Sequence, residues 1–161
     1  MRAPIRLLSS QRAKRKGEAL YRYLEDIATA DIAFEAEGPT LEQALIAASE
    51  AAMNVMVEDL ATIAPREQRT IEIEDQAPDM LLLDLLQELI YYKDAEQLLL
   101  RIEKLAVAEE GGVYRLRASA AGEKLDPARH EQRADVKAVT LHRLSLERTG
   151  HGWKALVILD I

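Results

Sequence analysis

The sequence predicts an α+β fold in which two main helices pack on one face of a mostly antiparallel sheet. Three observations carry that prediction. Two segments of the 161-residue chain repeat apolar residues at three- and four-residue spacing, other runs alternate with period two, and Gly-bearing turns join the last strands as hairpins. A chain of this length buries a single core.

From Leu20 to Glu37 the residues read as extended structure, with Tyr21, Tyr23, Ile32, Phe34 and Ala36 alternating against polar neighbours. Gly38-Pro39-Thr40 punctuates the run, and Thr40 with Gln43 has the form of a capping box, in which the hydroxyl takes an orphan backbone N–H and the amide reaches back. Leu41, Leu45, Ala48, Ala52 and Met56 then form an apolar stripe on a helix to about Val57. Gln68 to Asp75 alternates as a half-solvated strand. Pro78 and Asp79 open a second helix, Asp79 to Leu98. Its first half is apolar around much of its circumference, so it is expected to be the most buried helix. Strands are expected at Leu99 to Ala108, Val113 to Ala121, Ala134 to Glu147 and Trp153 to Ile161. The turns Glu109-Glu110-Gly111-Gly112 and Thr149-Gly150-His151-Gly152 separate them. The long polar stretch Gly122 to Arg133 reads as a loop, and loops of that length are more often functional than short ones.

Composition excludes several functional classes. There is no cysteine, so disulfides, thiolate metal sites and cysteine nucleophiles are out, and a cytoplasmic address fits. Residues 1 to 17 carry six cations and no acid; removing those six from the net −7 leaves −13 on the rest. An acidic body of that size repels phosphate backbones and is not expected to bind nucleic acid directly. No apolar run approaches the roughly 18 to 20 residues of a membrane span. The basic start lacks the apolar core and cleavage site of a secretory signal. Residues 1–19 are therefore read as a flexible basic tail and 20–161 as one domain.

Two constellations stand out. Asp160 and the terminal α-carboxylate lie within one residue of each other, and period-two counting puts Asp160 on the face of Ile158 and Leu156, where an uncompensated carboxylate is costly. Asp31, between Ala30 and Ile32, also sits on an apolar strand. If the fold brings it to the chain end, three hard oxygen donors converge, which favours Ca²⁺, Mg²⁺ or Mn²⁺ over zinc. The plainer readings are a carboxylate capped by backbone N–H groups for Asp31 and a solvated chain end for Asp160. The second constellation is Gly122, Glu123, Asp126, Arg129 and His130 in the long loop, with His142 on a downstream strand. It could be catalytic, yet no nucleophile elbow, HExxH or phosphate-cradling Gly-rich loop accompanies it. The plainer reading is an Asp-Pro turn with Asp126 and Arg129 paired across it and His142 on a polar sheet face. Glu88, Tyr91 and Tyr92 read either as an interface or as a helix boundary with phenols reaching water.

Four segments in order resemble the archease family. They are Tyr21-Arg22-Tyr23-Leu24-Glu25 with Thr29-Ala30-Asp31-Ile32; Leu85 to Tyr91; Gly122 to His130; and Val136 to His142, closed by Trp153 to Ile161. The resemblance implies a non-enzymatic, metal-binding accessory to an RtcB-type RNA ligase, one that promotes guanylylation of the ligase and restores multiple turnover in tRNA splicing and RNA repair. It also implies a divalent cation (Ca²⁺, Mg²⁺ or Mn²⁺) held by Asp31, Asp160 and Ile161. One departure matters: the family usually has His-Thr-Ala-Asp where this chain reads Ala28-Thr29-Ala30-Asp31, so any role of that histidine is absent or moved to Asp26 or His142. The rival readings are a metal-dependent phosphohydrolase using Asp31, Asp160, His130 and His142, and a general chaperone-like interaction module.

Overall fold

The structure, a computed structural model, describes residues 20–24 and 31–161. The basic segment 1–19 and the stretch 25–30, including Asp26, Ala28 and Thr29 of the motif, lie outside the described residues. The chain runs β1 (Leu20–Leu24), β2 (Ile32–Gly38), α1 (Leu41–Met56), a short 3-10 turn (Leu60–Thr62), β3 (Glu67–Asp75) and α2 (Pro78–Glu96). It continues with β4 (Leu98–Glu110), β5 (Val113–Lys124), β6 (Ala138–Val139), β7 (Ser145–Thr149) and β8 (Gly152–Asp160). The α+β class and the antiparallel pairing are as the sequence predicts. The strands divide into two sheets, one of order β1-β2-β8-β6 with β7 also beside β8, the other of order β3-β5-β4.

Each helix touches both sheets. α1 packs on β1, β2 and β8 of the larger sheet and on β4 of the smaller, whereas α2 packs on β3, β4 and β5 and on β6 and β7. This changes the expected order of burial: α1, not the leucine-rich α2, is the central helix. Ala44, Ala47, Ala48, Ala51 and Ala52 are all buried, and only the narrow stripe of Glu42, Gln43, Ile46, Glu50 and Asn54 escapes full burial. Small side chains let two layers approach one helix closely, a signal that hydrophobicity alone understates. In α2 the buried face is limited to Leu81, Leu82, Leu85, Leu86, Leu89 and Ile90.

Local chemistry sets the helix ends. Thr40 caps α1 by accepting from the Gln43 backbone N–H at 3.2 Å, and its hydroxyl donates to Gln43 Oε1 rather than leaving that amide to reach the Thr40 N–H as expected. Pro78 occupies the first turn of α2, where its missing N–H costs nothing, and Asp79 complements the helix dipole there. Gln97 closes that helix in the left-handed region, with φ 52°. The last carbonyls of α1 find partners in the crossing segment after β5: Arg133 N–H donates to Met56 O at 2.9 Å and Ala134 N–H to Val55 O at 3.1 Å.

That crossing segment explains a second difference. Ala134 to Glu147 is not one strand, because its first part serves α1 and a turn at residues 141–144, with Arg143 at φ 57°, divides the remainder into β6 and β7. The hairpin between β4 and β5 turns at Gly111 and Gly112, both with positive φ, as the sequence predicts. β1 is fastened to the central helix by Tyr23, whose hydroxyl donates to Ala51 O at 2.7 Å and whose burial pushes its pKa up.

Candidate functional site

The pairing of β2 with β8 decides which residues meet at the end of the larger sheet. Ile32 opposes Leu159, Phe34 opposes Val157 and Ala36 opposes Ala155, and all six lie in the core. Directly opposed residues of an antiparallel pair share a face, and successive residues alternate. Ala33 and Ile158 therefore point to the other face. Continuing the same register one residue past Ile32 and Leu159 sets Asp31 opposite Asp160, on the face of Ala33 and Ile158. Ile161 follows directly as the chain end.

β6 completes this corner from the other side. Ala138 opposes Asp160 and Val139 opposes Leu159. Lys137 N–H donates to Asp160 O at 2.8 Å and Thr140 N–H to Ile158 O at 2.9 Å, which holds the last residues of β8 between two neighbours. The side chains of Asp31 and Asp160 are half-buried, and among the described residues neither carboxylate has a hydrogen-bond donor or a cation as partner. The sequence expectation that Asp31 is capped by backbone N–H groups is thus not met within the described residues. No group of three or more His, Cys, Asp or Glu side chains assembles among those residues. What the corner gathers is two side-chain carboxylates and the terminal residue. The four-residue set of the phosphohydrolase reading is not brought together.

Sequence reasoning missed Thr140. Its hydroxyl oxygen is buried with no hydrogen-bond partner. A threonine just past a strand end has no signal that separates it from any other β-branched packing residue.

The second constellation is built differently from its expectation. Gly122, Glu123 and Lys124 belong to β5 rather than to a loop. A side chain at Gly122 would put its Cβ 1.6 Å from Leu99 O, so the close pairing of β4 and β5 there requires glycine. Glu123, only 4% exposed, accepts from Ala64 N–H at 2.7 Å, from Arg129 at 2.7 and 3.0 Å and from His130 Nε2 at 3.0 Å, with Arg66 at 3.3 Å. His130 Nδ1 accepts from the Asp126 N–H at 2.9 Å, so the ring proton sits on Nε2 and the ring donates to Glu123. The Ala64 N–H above all, then Arg129 and His130, lower the Glu123 pKa to about 2 against the opposing effect of burial.

A carboxylate with every lone pair engaged cannot take a proton from a substrate or hold an ion. The cluster is a clasp that ties the segment after β5 to the 3-10 turn region. Arg129 pairs with Glu123 and not with Asp126, whose Oδ1 instead accepts from Ala128 N–H at 3.0 Å. His142 lies exposed in the 141–144 turn, not on a strand. At the end of α2, Tyr91 is 57% exposed, while Tyr92 packs edge-on to it with Arg69 over its ring.

Residues 21–161 match the family model described as Archease protein family (MTH1598/TM1083). The chain is 37% identical over 142 residues to the protein archease of Methanosarcina mazei, covering 88% of this chain and 95% of that one. It is 38% identical over 134 residues to the protein archease of Pyrococcus furiosus, covering 83% and 94%. Its fold superposes on the solution structure of Methanobacterium thermoautotrophicum protein 1598 with a TM-score of 0.77 and 32% identity, over 91% of this chain and all of that one.

Proposed function

Because the chain belongs to the archease family, we propose that it is a non-catalytic activator of an RtcB-type RNA ligase, promoting guanylylation and multiple turnover, with a divalent cation held by Asp31, Asp160 and Ile161. The observation that supports this most directly is the register of β2 on β8, with Ile32 opposite Leu159, whose extension by one residue brings Asp31 opposite Asp160 beside the last residue. Strands separated by most of the chain's length supply the donors, so nothing local in the sequence demands their meeting.

The donor set suits calcium, magnesium or manganese, all of which prefer oxygen, and the absence of cysteine leaves no thiolate ligand. Two carboxylates with no partner among the described residues lie half-buried at one corner of the sheet, where an uncompensated charge is costly. A bound cation would offset that cost and present positive charge at the corner. The protein's own residues orient the donors: Ile32 and Leu159 anchor the strands in the core, and Lys137 and Thr140, on either side of β6, fix the backbone of β8. The excess of acid on residues 20–161 suits encounter with a basic, RNA-binding ligase, where complementary charge raises the association rate more than the affinity. No helix among the described residues is long and apolar enough to cross a membrane.

The test is guanylylation of a purified RtcB-type ligase with and without this chain, in the presence of calcium, magnesium or manganese. The expected outcome is faster guanylylation and continued ligation beyond the first turnover when the chain is added. Ligation that stops after one turnover in both cases contradicts the proposal. The same chain without ligase, incubated with RNA bearing a 2′,3′-cyclic phosphate, is expected to leave the end intact, whereas end opening favours an enzyme.

A further inference from the structure

We infer that the Thr140 hydroxyl belongs to the oxygen shell of the cation at the Asp31 and Asp160 corner. The inference rests on the cation reading above and extends it beyond the three donors named there. Continuing the β6 register one residue past Val139 sets Thr140 opposite Ile158, and its N–H donates to Ile158 O at 2.9 Å. Its side chain therefore leaves the sheet on the face of Ile158, Ala33 and, two residues further along β8, Asp160. Diagonal neighbours on one face of an antiparallel pair lie within reach of a bridging group.

Two observations set this hydroxyl apart. Thr140 Oγ1 is the one buried side-chain nitrogen or oxygen among the described residues that lacks a hydrogen-bond partner. A buried hydroxyl without a partner is destabilising, and beside Ile158 a valine would fill the same volume without that penalty. The residue directly beside Asp160 on β6 is Ala138, which has no side-chain donor atom, so Thr140, the residue following β6, brings the side-chain oxygen on this side of the corner. Calcium takes about six to eight oxygen ligands, more than two carboxylates and a chain end supply when each binds through one oxygen. The Thr140 hydroxyl serves either as one of the remaining ligands or as the group that orients a water occupying such a place; both put it in the shell.

The experiment is calorimetric titration of calcium into the full chain, Thr140→Val and Thr140→Ser, with thermal melts of each in the presence and absence of the ion. Thr140→Val is expected to bind about tenfold more weakly, and Thr140→Ser to stay within about twofold of wild type. Without cation, Thr140→Val is expected to melt at or above the wild-type temperature, and calcium is expected to raise its melting temperature less. Wild-type affinity in Thr140→Val overturns the inference and leaves the three-donor reading standing. Weaker binding together with a lower cation-free melting temperature marks the hydroxyl as structural and also overturns it. A wild-type chain that takes up no calcium, magnesium or manganese overturns the three-donor reading itself.

Discussion

Asp31→Ala is expected to weaken cation binding at least about a hundredfold, since loss of a charged ligand exceeds the 10- to 100-fold losses typical of outer-shell changes. The same substitution is expected to leave the fold intact. Asp31 lies just outside β2, is half-buried, and has no hydrogen-bond or ion-pair partner among the described residues, so alanine strands no buried donor. The substitution removes no interaction among the described residues, and the cation-free stability should change by no more than about 0.5 kcal/mol. Calorimetric titration with calcium reads the affinity, and far-ultraviolet circular dichroism with denaturant unfolding reads the fold. Ligase stimulation by this variant should fall to the level seen without any added chain. Wild-type affinity in the variant would contradict the assignment of Asp31 as a ligand.

Glu123→Ala has the opposite profile: a large loss of stability with no direct effect on the cation corner. The variant leaves the Ala64 N–H and the fully buried His130 Nε2–H without their acceptor, and we expect about 3 kcal/mol of destabilisation. The two arginines add less than their distances suggest, because the side chains of Arg66 and Arg129 are 70% and 43% exposed and solvent screens them. A drop of that size corresponds to a melting-temperature shift of roughly 10 °C for a domain of this length.

The clasp also carries a pH signature. The folded-state pKa of Glu123 is lowered from 4.5 to about 2, so the unfolded chain binds the proton more readily. Its contribution is fully present above pH 4.5 and is lost as pH falls from about 4.5 toward about 2. Glu123→Gln should therefore show a shallower loss of stability across that window than wild type in denaturant unfolding. Equal slopes would contradict the carboxylate's role as the acceptor of all these donors.

The local rules of the chain were legible where a residue's neighbours in sequence are also its neighbours in space. The alternation from Gln68 to Asp75 recovers β3 to within a residue, and Thr40 and the Gly111-Gly112 turn act where expected. What sequence could not resolve depends on partners far along the chain. The greater burial of α1 follows from both sheets closing on its alanines, a packing fact with no local pattern. The breaking of Ala134 to Glu147 follows from the open carbonyls at the end of α1, which claim Arg133 and Ala134 for themselves. Glu123 looked like a loop residue because the polar stretch after it is continuous with it in composition, while its burial comes from Ala64 and His130 folding over the strand end.

The candidate site divides along the same line. Asp160 and the chain end are adjacent by covalent connection and stood out in the sequence. The approach of Asp31 required the β2 and β8 register, which periodicity cannot supply; the residue context posed it as a condition, and the resemblance to the family pointed to it. Thr140 required knowledge of which side chains are buried without partners. The clasp at Glu123 and the corner at Asp31 lie on different sheets, so one positions the segment crossing the end of α1 while the other presents donors at a strand end.

The most direct measurement is a crystal structure of the chain grown with calcium, with the ion located by its anomalous scattering. The account predicts one ion at the end of β8, with oxygens of Asp31, Asp160 and the terminal Ile161 about 2.3 to 2.6 Å from it. An ion bound elsewhere, or an Asp31 carboxyl turned away from the chain end toward a basic side chain, would contradict it.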